Sequence, residues 1–342
     1  MRYTYRPFDV RWVYWEPETK LLDEKRAEYV TARVSQSIEM VIPRAQRKEW
    51  SPPLVTRSVL DLNAMDGGAA AIPFRRTAVT NVPGSVANPT DGAQRDTQEA
   101  IFWHCLAILH SPSYFTENGS AMRVEPPRIP FLRDAKILRA SAALGTTLAT
   151  LLDSETPAPG VSTGTLRAGL KTLGLPTRRG GKGLDADDLK LTAGWGSIQK
   201  AGGSRIVMPG RGLAHERAYT DAERAALAAE GKVLGLSLDE ALALLGEKTF
   251  DIHLNGDAWW SNVPLRVWDY TLGGYQVLKK WLSYREENVL GRPLKPDEVA
   301  YVSEMVRRIA AILLLGPTLD ANYAASKAAA VEWKDGAPVE LA

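Results

Sequence analysis

Between Trp268 and Arg285 the chain runs an aromatic stretch, a Gly273-Gly274 pair, and then Tyr275, Lys279, Lys280, Trp281, Tyr284 and Arg285 on a short amphipathic segment. Cations and flat rings at this spacing do little for bond-making chemistry. They suit a stiff, positively charged surface that grips a nucleic acid, because ammonium and guanidinium groups neutralise phosphates. A second basic stretch, Arg178-Arg179-Gly180-Gly181-Lys182-Gly183, has the flexibility of a loop that contacts phosphates. Further cations gather early in the chain, and the candidate DNA-binding set is Arg6, Arg11, Arg44, Arg47, Lys48, Arg75, Arg76, Arg178, Arg179, Lys182, Lys279, Lys280 and Arg285. Each cluster has a plainer reading. Lys279 and Lys280 also fit a solvated helix face, Asp9 lies between Arg6 and Arg11 as an internal ion-pair partner, and the glycine loop also fits an uninvolved insertion.

Motifs for catalysis are weaker. Ser51-Pro52-Pro53-Leu54 follows the polar-Pro-Pro-aromatic order of loops that bind an exocyclic amine, but Leu54 stands where the stacking ring belongs, and no strand with a glycine-rich turn for a methyl donor precedes it. A plain turn explains it as well. Lys182 is followed by Gly183, so the hydroxyl that a phosphate-binding loop offers to magnesium is missing. Asp221, Glu230 and Lys232 have the order of a metal-dependent nuclease, yet they fall in or beside an alanine-rich helix where carboxylates are simply solvated. His104, His110, His215 and His253 show no paired metal spacing, and the single Cys105 excludes an internal disulfide. No catalytic, cofactor-binding or metal residue is assigned.

The 342 residues, 45% apolar and 24% charged, are those of an ordinary globular chain of one or two domains. A net charge of +2 excludes a polybasic tail, so a DNA surface must come from how charges are distributed. With no apolar signal core and no apolar run long enough to span a bilayer, a cytoplasmic location is expected. The first eighty residues read mainly as strands, with a possible short helix over 24 to 34 and a loop over 81 to 95. A helix stripe begins at Thr97, and a second helix covers Ala135 to Leu152 with Ala140, Ala143 and Gly145 as a small face for close packing. Residues 153 to 217 lack periodicity. Thr220 with Glu223 and Ser237 with Glu240 are capping boxes that open two short helices. A strand at 249 to 254 and helices at 274 to 285, 296 to 315 and 319 to 331 follow. The spacing at 274 to 285 puts Val277, Leu278, Trp281 and Leu282 in the core. Cys105 is expected to be buried.

Several short stretches, in order, resemble the C-terminal specificity domain of type ISP restriction-modification enzymes and related large adenine-specific DNA methyltransferases. They are Tyr5 to Arg11 with Tyr14, Leu21-Leu22-Asp23, Trp50 to Pro53, Ile101-Phe102 through Ala107 to Tyr114, Pro127 to Pro130 and Leu144-Gly145. Val267 to Tyr270, Gly273 to Leu282 and Arg307 to Ala310 complete the set. The expected fold is α+β, a mixed strand platform packed by several helices with an irregular Gly/Ser-rich insertion. The chain then divides into a strand-rich part with the first helices (1–152), an insertion with two short helices where it departs from the family (153–247), and a strand and helical part completing the same domain (248–342). The resemblance implies a partner, double-stranded DNA, and a methyltransferase domain or subunit that holds S-adenosylmethionine and methylates adenine N6. This chain would read the sequence without catalysis of its own. Two alternatives stay open: a free-standing S-adenosylmethionine-dependent adenine methyltransferase built on Ser51 to Leu54, and a scaffold that docks a methyltransferase through Tyr3, Trp12, Tyr14 and Trp15.

Overall fold

Aromatic and polar residues alternate over Arg2-Tyr3-Thr4-Tyr5-Arg6, and this stretch folds as a strand. In the computed structural model, β1 (Arg2–Arg6) runs antiparallel to β2 (Asp9–Trp12) through a Pro7-Phe8 turn, where buried Phe8 takes a left-handed backbone, φ 57°. The structure describes residues 1–14, 38–43, 50–74, 92–123, 125–199 and 205–331. The expected helix over 24 to 34 and most of the 81 to 95 loop lie outside them, as do Trp15 and Leu21-Leu22-Asp23. The chain divides into two compact units.

The first unit comprises residues 1–155, 272–274 and 316–342. Here β5 (Val59–Leu60) pairs parallel to β1, while β3 (Glu39–Pro43) lies between β4 (Leu54–Thr56) and β6 (Ala69–Pro73) in a separate antiparallel sheet. The strands thus make small sheets and not one platform, because two- to five-residue strands cannot pair across a broad surface. Helix α1 (Gly92–Leu109) starts five residues before the apolar stripe. Its first turn is Gly92-Ala93-Gln94-Arg95, with nothing apolar enough to carry a period. A short helix α2 (Pro112–Asn118) is capped by Ser111, which accepts the Tyr114 N–H and donates to Asp320 of the C-terminal helix Gly316–Ala328.

Helix α3 (Ala135–Leu152) matches its expected bounds, but its packing face is Ser141, Ala142, Gly145, Leu148 and Ala149. Ala140 and Ala143 are exposed, and only Gly145 of the expected small face is used. A Cβ there would sit 2.0 Å from the Trp103 carbonyl oxygen, which shows how closely α1 and α3 approach. Buried His104 ties the helices together: its Nε2 donates to the Pro130 carbonyl, so its Nδ1 accepts from the Ser141 hydroxyl.

The second unit comprises residues 156–271 and 275–315. Its elements run α4 (Ala168–Lys171), β7 (Leu175–Arg178), β8 (Gly196–Gln199), β9 (Arg205–Pro209), β10 (Ala214–Arg217), α5 (Asp221–Leu234) and α6 (Leu238–Leu245). They continue with β11 (Thr249–His253), β12 (Ala258–Pro264), α7 (Leu265–Trp268), α8 (Val277–Ser283), α9 (Glu287–Leu290) and α10 (Pro296–Leu314). Both capping boxes are present as expected. An antiparallel sheet in the order β10-β11-β12-β7 takes both of its edge strands from the stretch that lacked periodicity. Edge strands are half-solvated and tolerate a proline such as Pro176, so they carry no alternating apolar signal. Strands β8 and β9 stand apart as a two-stranded ribbon.

Asn262 occupies a bulge in β12 with φ 57°. Its side chain is buried and bonded at both ends, accepting from Thr249 and donating to the Thr172 carbonyl. The core gathers under α10: Trp260 donates its indole N–H to the Val299 carbonyl, and Ser303 donates to the Gly174 carbonyl. Arg308, 1% exposed, pairs with Glu304 at 2.7 Å and donates to the Thr156 carbonyl and Ser162 hydroxyl. The Arg307-Arg308 pair of the family pattern therefore includes a structural arginine.

Candidate nucleic-acid interface

In the second unit the basic glycine loop leaves the end of β7. Arg178 is held by two carboxylates, Asp185 at 2.7 Å and Asp188 at 3.2 Å. The Asp188 N–H, with help from Arg178, keeps the Asp185 carboxyl below its ordinary value. Arg179 is largely exposed, pairing with Asp257 at 3.3 Å and donating to the Gly256 carbonyl. Gly180 and Gly181 then take consecutive left-handed conformations, φ 81° and 73°, with open space where side chains would be. They present Lys182 to solvent.

Helix α8 buries Val277, Leu278, Trp281 and Leu282, as its spacing predicts. Lys279 and Lys280 are left half-exposed on the other side. The Lys280 ammonium lies 4.9 Å from the Tyr284 ring and 5.5 Å from Tyr275, and the Arg285 guanidinium sits 3.7 Å from the Trp281 ring. These rings stabilise the cations in place by roughly 0.5–1 kcal/mol each without cancelling their charge.

Against α8 packs the β8–β9 ribbon. Its base is clamped by Glu286, a buried carboxylate that accepts the backbone N–H groups of Gly194, Trp195 and Gly196 at 2.8, 2.6 and 3.1 Å. Burial pushes this carboxyl above its ordinary value, and the three donors pull it back. Trp195 is fully buried, donates to the His253 carbonyl at 2.7 Å and meets Trp268 edge-on. Sequence reasoning passed over both the ribbon and its clamp. The available signal was the bracket Gly194-Trp195-Gly196 with Pro209-Gly210-Arg211-Gly212, glycines that let the strands approach a tryptophan closely.

In the first unit, Tyr5 lies 4.0 Å from the Arg6 guanidinium and 4.1 Å from that of Arg11. Arg6 pairs with Asp61 at 3.5 Å and Arg11 with Asp9 at 2.6 Å. Trp12 and Tyr14 are 76% and 71% exposed. Arg44, Arg47, Lys48, Arg75 and Arg76 lie outside the described residues.

The remaining chemistry resolves into structural contacts. Ser51 Oγ accepts the Gly273 N–H at 2.6 Å, and Leu54 is buried in β4. Glu230 is buried 3.0 Å from Arg167, and burial raises its carboxyl. His215 and His253 meet at 3.2 Å. Because His253 Nδ1 donates to the Asn255 carbonyl, its Nε2 is the acceptor from His215. Cys105, expected to be buried, is only partly covered, yet desolvation pushes its thiol up to about 11. Among the described residues no group of three or more His, Cys, Asp or Glu is placed to hold a metal, and no helix is long and apolar enough to cross a membrane.

Residues 1–303 match the family model of the Type ISP C-terminal specificity domain. The chain belongs to that family. Two solved structures share the fold of this chain. One is a nuclease-deletion mutant of the Type ISP restriction-modification enzyme LlaGI in complex with a DNA substrate mimic, at 14% identity and a TM-score of 0.53. The other is the DrdV–DNA complex, at 16% identity and a TM-score of 0.50. Each likeness covers 94% of this chain, and respectively 24% and 28% of the other, so this chain spans about a quarter of the length of those chains. No curated protein matches the chain. The expected α+β class holds, with small sheets and abundant helix.

Proposed function

We propose that this specificity domain reads a sequence in double-stranded DNA on behalf of a methyltransferase active site located elsewhere, which transfers a methyl group from S-adenosylmethionine to adenine N6. The match over residues 1–303 carries this reading. The basic groups of the second unit fit the binding step: Lys182 on its glycine loop, Lys279, and Lys280 over its two rings would position the duplex through phosphates, with Arg179 and Arg285 as further cations. The chain's own part is binding. A mobility-shift titration with the full chain tests it. Duplex binding should weaken steeply as salt rises, and replacing Lys279 and Lys280 by Glu should weaken all sequences alike and flatten the salt slope by about 2. Absence of binding to any duplex at micromolar protein and low salt would count decisively against it.

The exposed Trp12 and Tyr14 favour an additional role, docking of the methyltransferase part on the β1–β2 hairpin. Changing both to Ser should then abolish capture of that part while leaving duplex binding intact, and unchanged capture would remove this role.

A further inference from the structure

A side chain that reads base edges must be exposed yet held in one orientation, because ordering a free one on contact costs affinity. The β11–β12 turn and the end of β7 hold Arg179 in this way. Asn255 builds the turn: its Oδ1 accepts the N–H groups of Asp257 and Ala258, and its Nδ2 donates to the Asp188 and Lys190 carbonyls, each at 3.0 Å. The turn is thereby fixed to the segment that follows the basic glycine loop. The Arg179 N–H donates to the Asp257 carbonyl at 2.8 Å, which carries the β7–β12 pairing one residue past Arg178 and Ala258.

The two neighbouring arginines then differ. Arg178 is spent on Asp185 and Asp188, whereas the Arg179 side chain is 75% exposed and held along one edge of its guanidinium. Its Nε lies 3.3 Å from the Asp257 carboxylate, and its Nη2 donates to the Gly256 carbonyl at 3.1 Å. Nη1 has no partner among the described residues, which leaves the outer edge of the fork, Nη1 with the second hydrogen of Nη2, open to a ligand. Those two parallel donors match guanine O6 and N7. An exposed ion pair adds little to stability, so what Asp257 contributes is orientation. The carboxylate also cancels much of the guanidinium charge at a distance, which makes Arg179 a poor phosphate contact and suits it to a hydrogen-bonding one. Lys182 has no carboxylate partner among the described residues and is free to take a phosphate. At Gly180, Gly181, Gly183 and Gly256 nothing lies within 4 Å of where a side chain would stand, so no bulk beside Arg179 blocks the approach of a duplex.

We propose that Arg179 reads a guanine in the major groove, with Asp257 and the Gly256 carbonyl holding its fork in place and Lys182 taking a nearby phosphate. This rests on the DNA-recognition reading above and turns one of its general cations into a residue that sets a recognised base.

The test is selection of bound duplexes from a random-core library with the full chain, followed by mobility-shift titration of single-base variants of the selected site. Arg179→Ala should erase a guanine preference at one position, a loss of roughly five- to 150-fold in discrimination. Arg179→Lys keeps the charge without the planar fork and should lose the same preference while affinity for unrelated duplexes is kept. Asp257→Asn should weaken that preference and raise affinity for unrelated duplexes, since the fork is loosened and a charge that repels phosphates is gone. If the unaltered chain selects a site and the Arg179 variants keep its base preferences, or weaken all sequences alike, the assignment of Arg179 is overturned while DNA recognition stands. Duplex binding without any base preference overturns it as well. If the unaltered chain binds no duplex, the recognition reading fails and the assignment with it.

Discussion

Truncating Glu286 to Ala removes the carboxylate that clamps the ribbon base. Three backbone donors, from Gly194, Trp195 and Gly196, lose their acceptor at once, and two of them lie in closed surroundings: Trp195 and Gly196 are buried and Glu286 itself is 4% exposed. An unsatisfied buried donor costs about 1–3 kcal/mol. Gly194 is exposed and its N–H can turn to water, so the two buried donors at Trp195 and Gly196 set the cost at roughly 2–6 kcal/mol, which water entering the space left by the carboxylate lowers to about 3 kcal/mol. A domain is stable by only about 5–15 kcal/mol, so the effect is large. Glu286→Gln keeps one acceptor oxygen and should lose about half as much. Urea titration followed by tryptophan fluorescence measures both, and hydrogen exchange at Gly194 to Gly196 localises the change. Loss of less than about 1 kcal/mol in both variants, with exchange unchanged at these amides, would refute the clamp.

Acid should destabilise the protein through His110, whose ring is buried, donates from Nε2 to the Pro53 carbonyl at 2.7 Å, and is pushed down to about 4 by desolvation. Its folded value lies below the unfolded one near 6.5, so the unfolded chain binds the extra proton between them. Stability is full above pH 6.5 and falls by about 3 kcal/mol as pH drops to 4, and urea midpoints of His110→Gln should show that much less dependence over the window. Gly145→Ala places a Cβ 2.0 Å from the Trp103 carbonyl oxygen, and the about 1 kcal/mol gained in helix propensity is outweighed by overpacking. Calorimetry should record a lower melting temperature, equivalent to a net loss of about 2 kcal/mol. Arg308→Met strands Glu304 and the Thr156 carbonyl and should cost about 3 kcal/mol of stability. Duplex affinity of the folded Arg308→Met protein should match the parent in a mobility shift, since its guanidinium is spent inside the core.

The helices were legible wherever an apolar stripe or a cap marks them. Thr220 with Glu223 and Ser237 with Glu240 announce α5 and α6, and the periodicity of Ala135 to Leu152 gives α3 to the residue. What failed there was phase: Ala140 and Ala143 are as small as Ala142 and Gly145, and composition alone does not say which small residues face α1. The edge strands β7 and β10 were invisible for a different reason. Leu-Pro-Thr-Arg and Ala-His-Glu-Arg have no alternation because both of their faces are partly wet, and they become strands only when β11 and β12 supply hydrogen-bond partners.

The candidate site shows the same division between local and tertiary information. Counting cations along the chain treats Arg6, Arg11 and Arg178 like Lys182, but the fold sets Asp61, Asp9, Asp185 and Asp188 against the three arginines and leaves the lysine in solvent. A guanidinium beside a carboxylate attracts a phosphate far less than a lone ammonium does, because at any distance beyond a few ångströms the pair is nearly neutral. The partners of Arg6 and Arg178 lie 55 residues away and seven or more residues away, so only the Asp9 pairing was readable from neighbours in sequence. With net charge of only +2 and several arginines neutralised in place, general electrostatic attraction to DNA is limited, and discrimination must come from hydrogen bonds to bases.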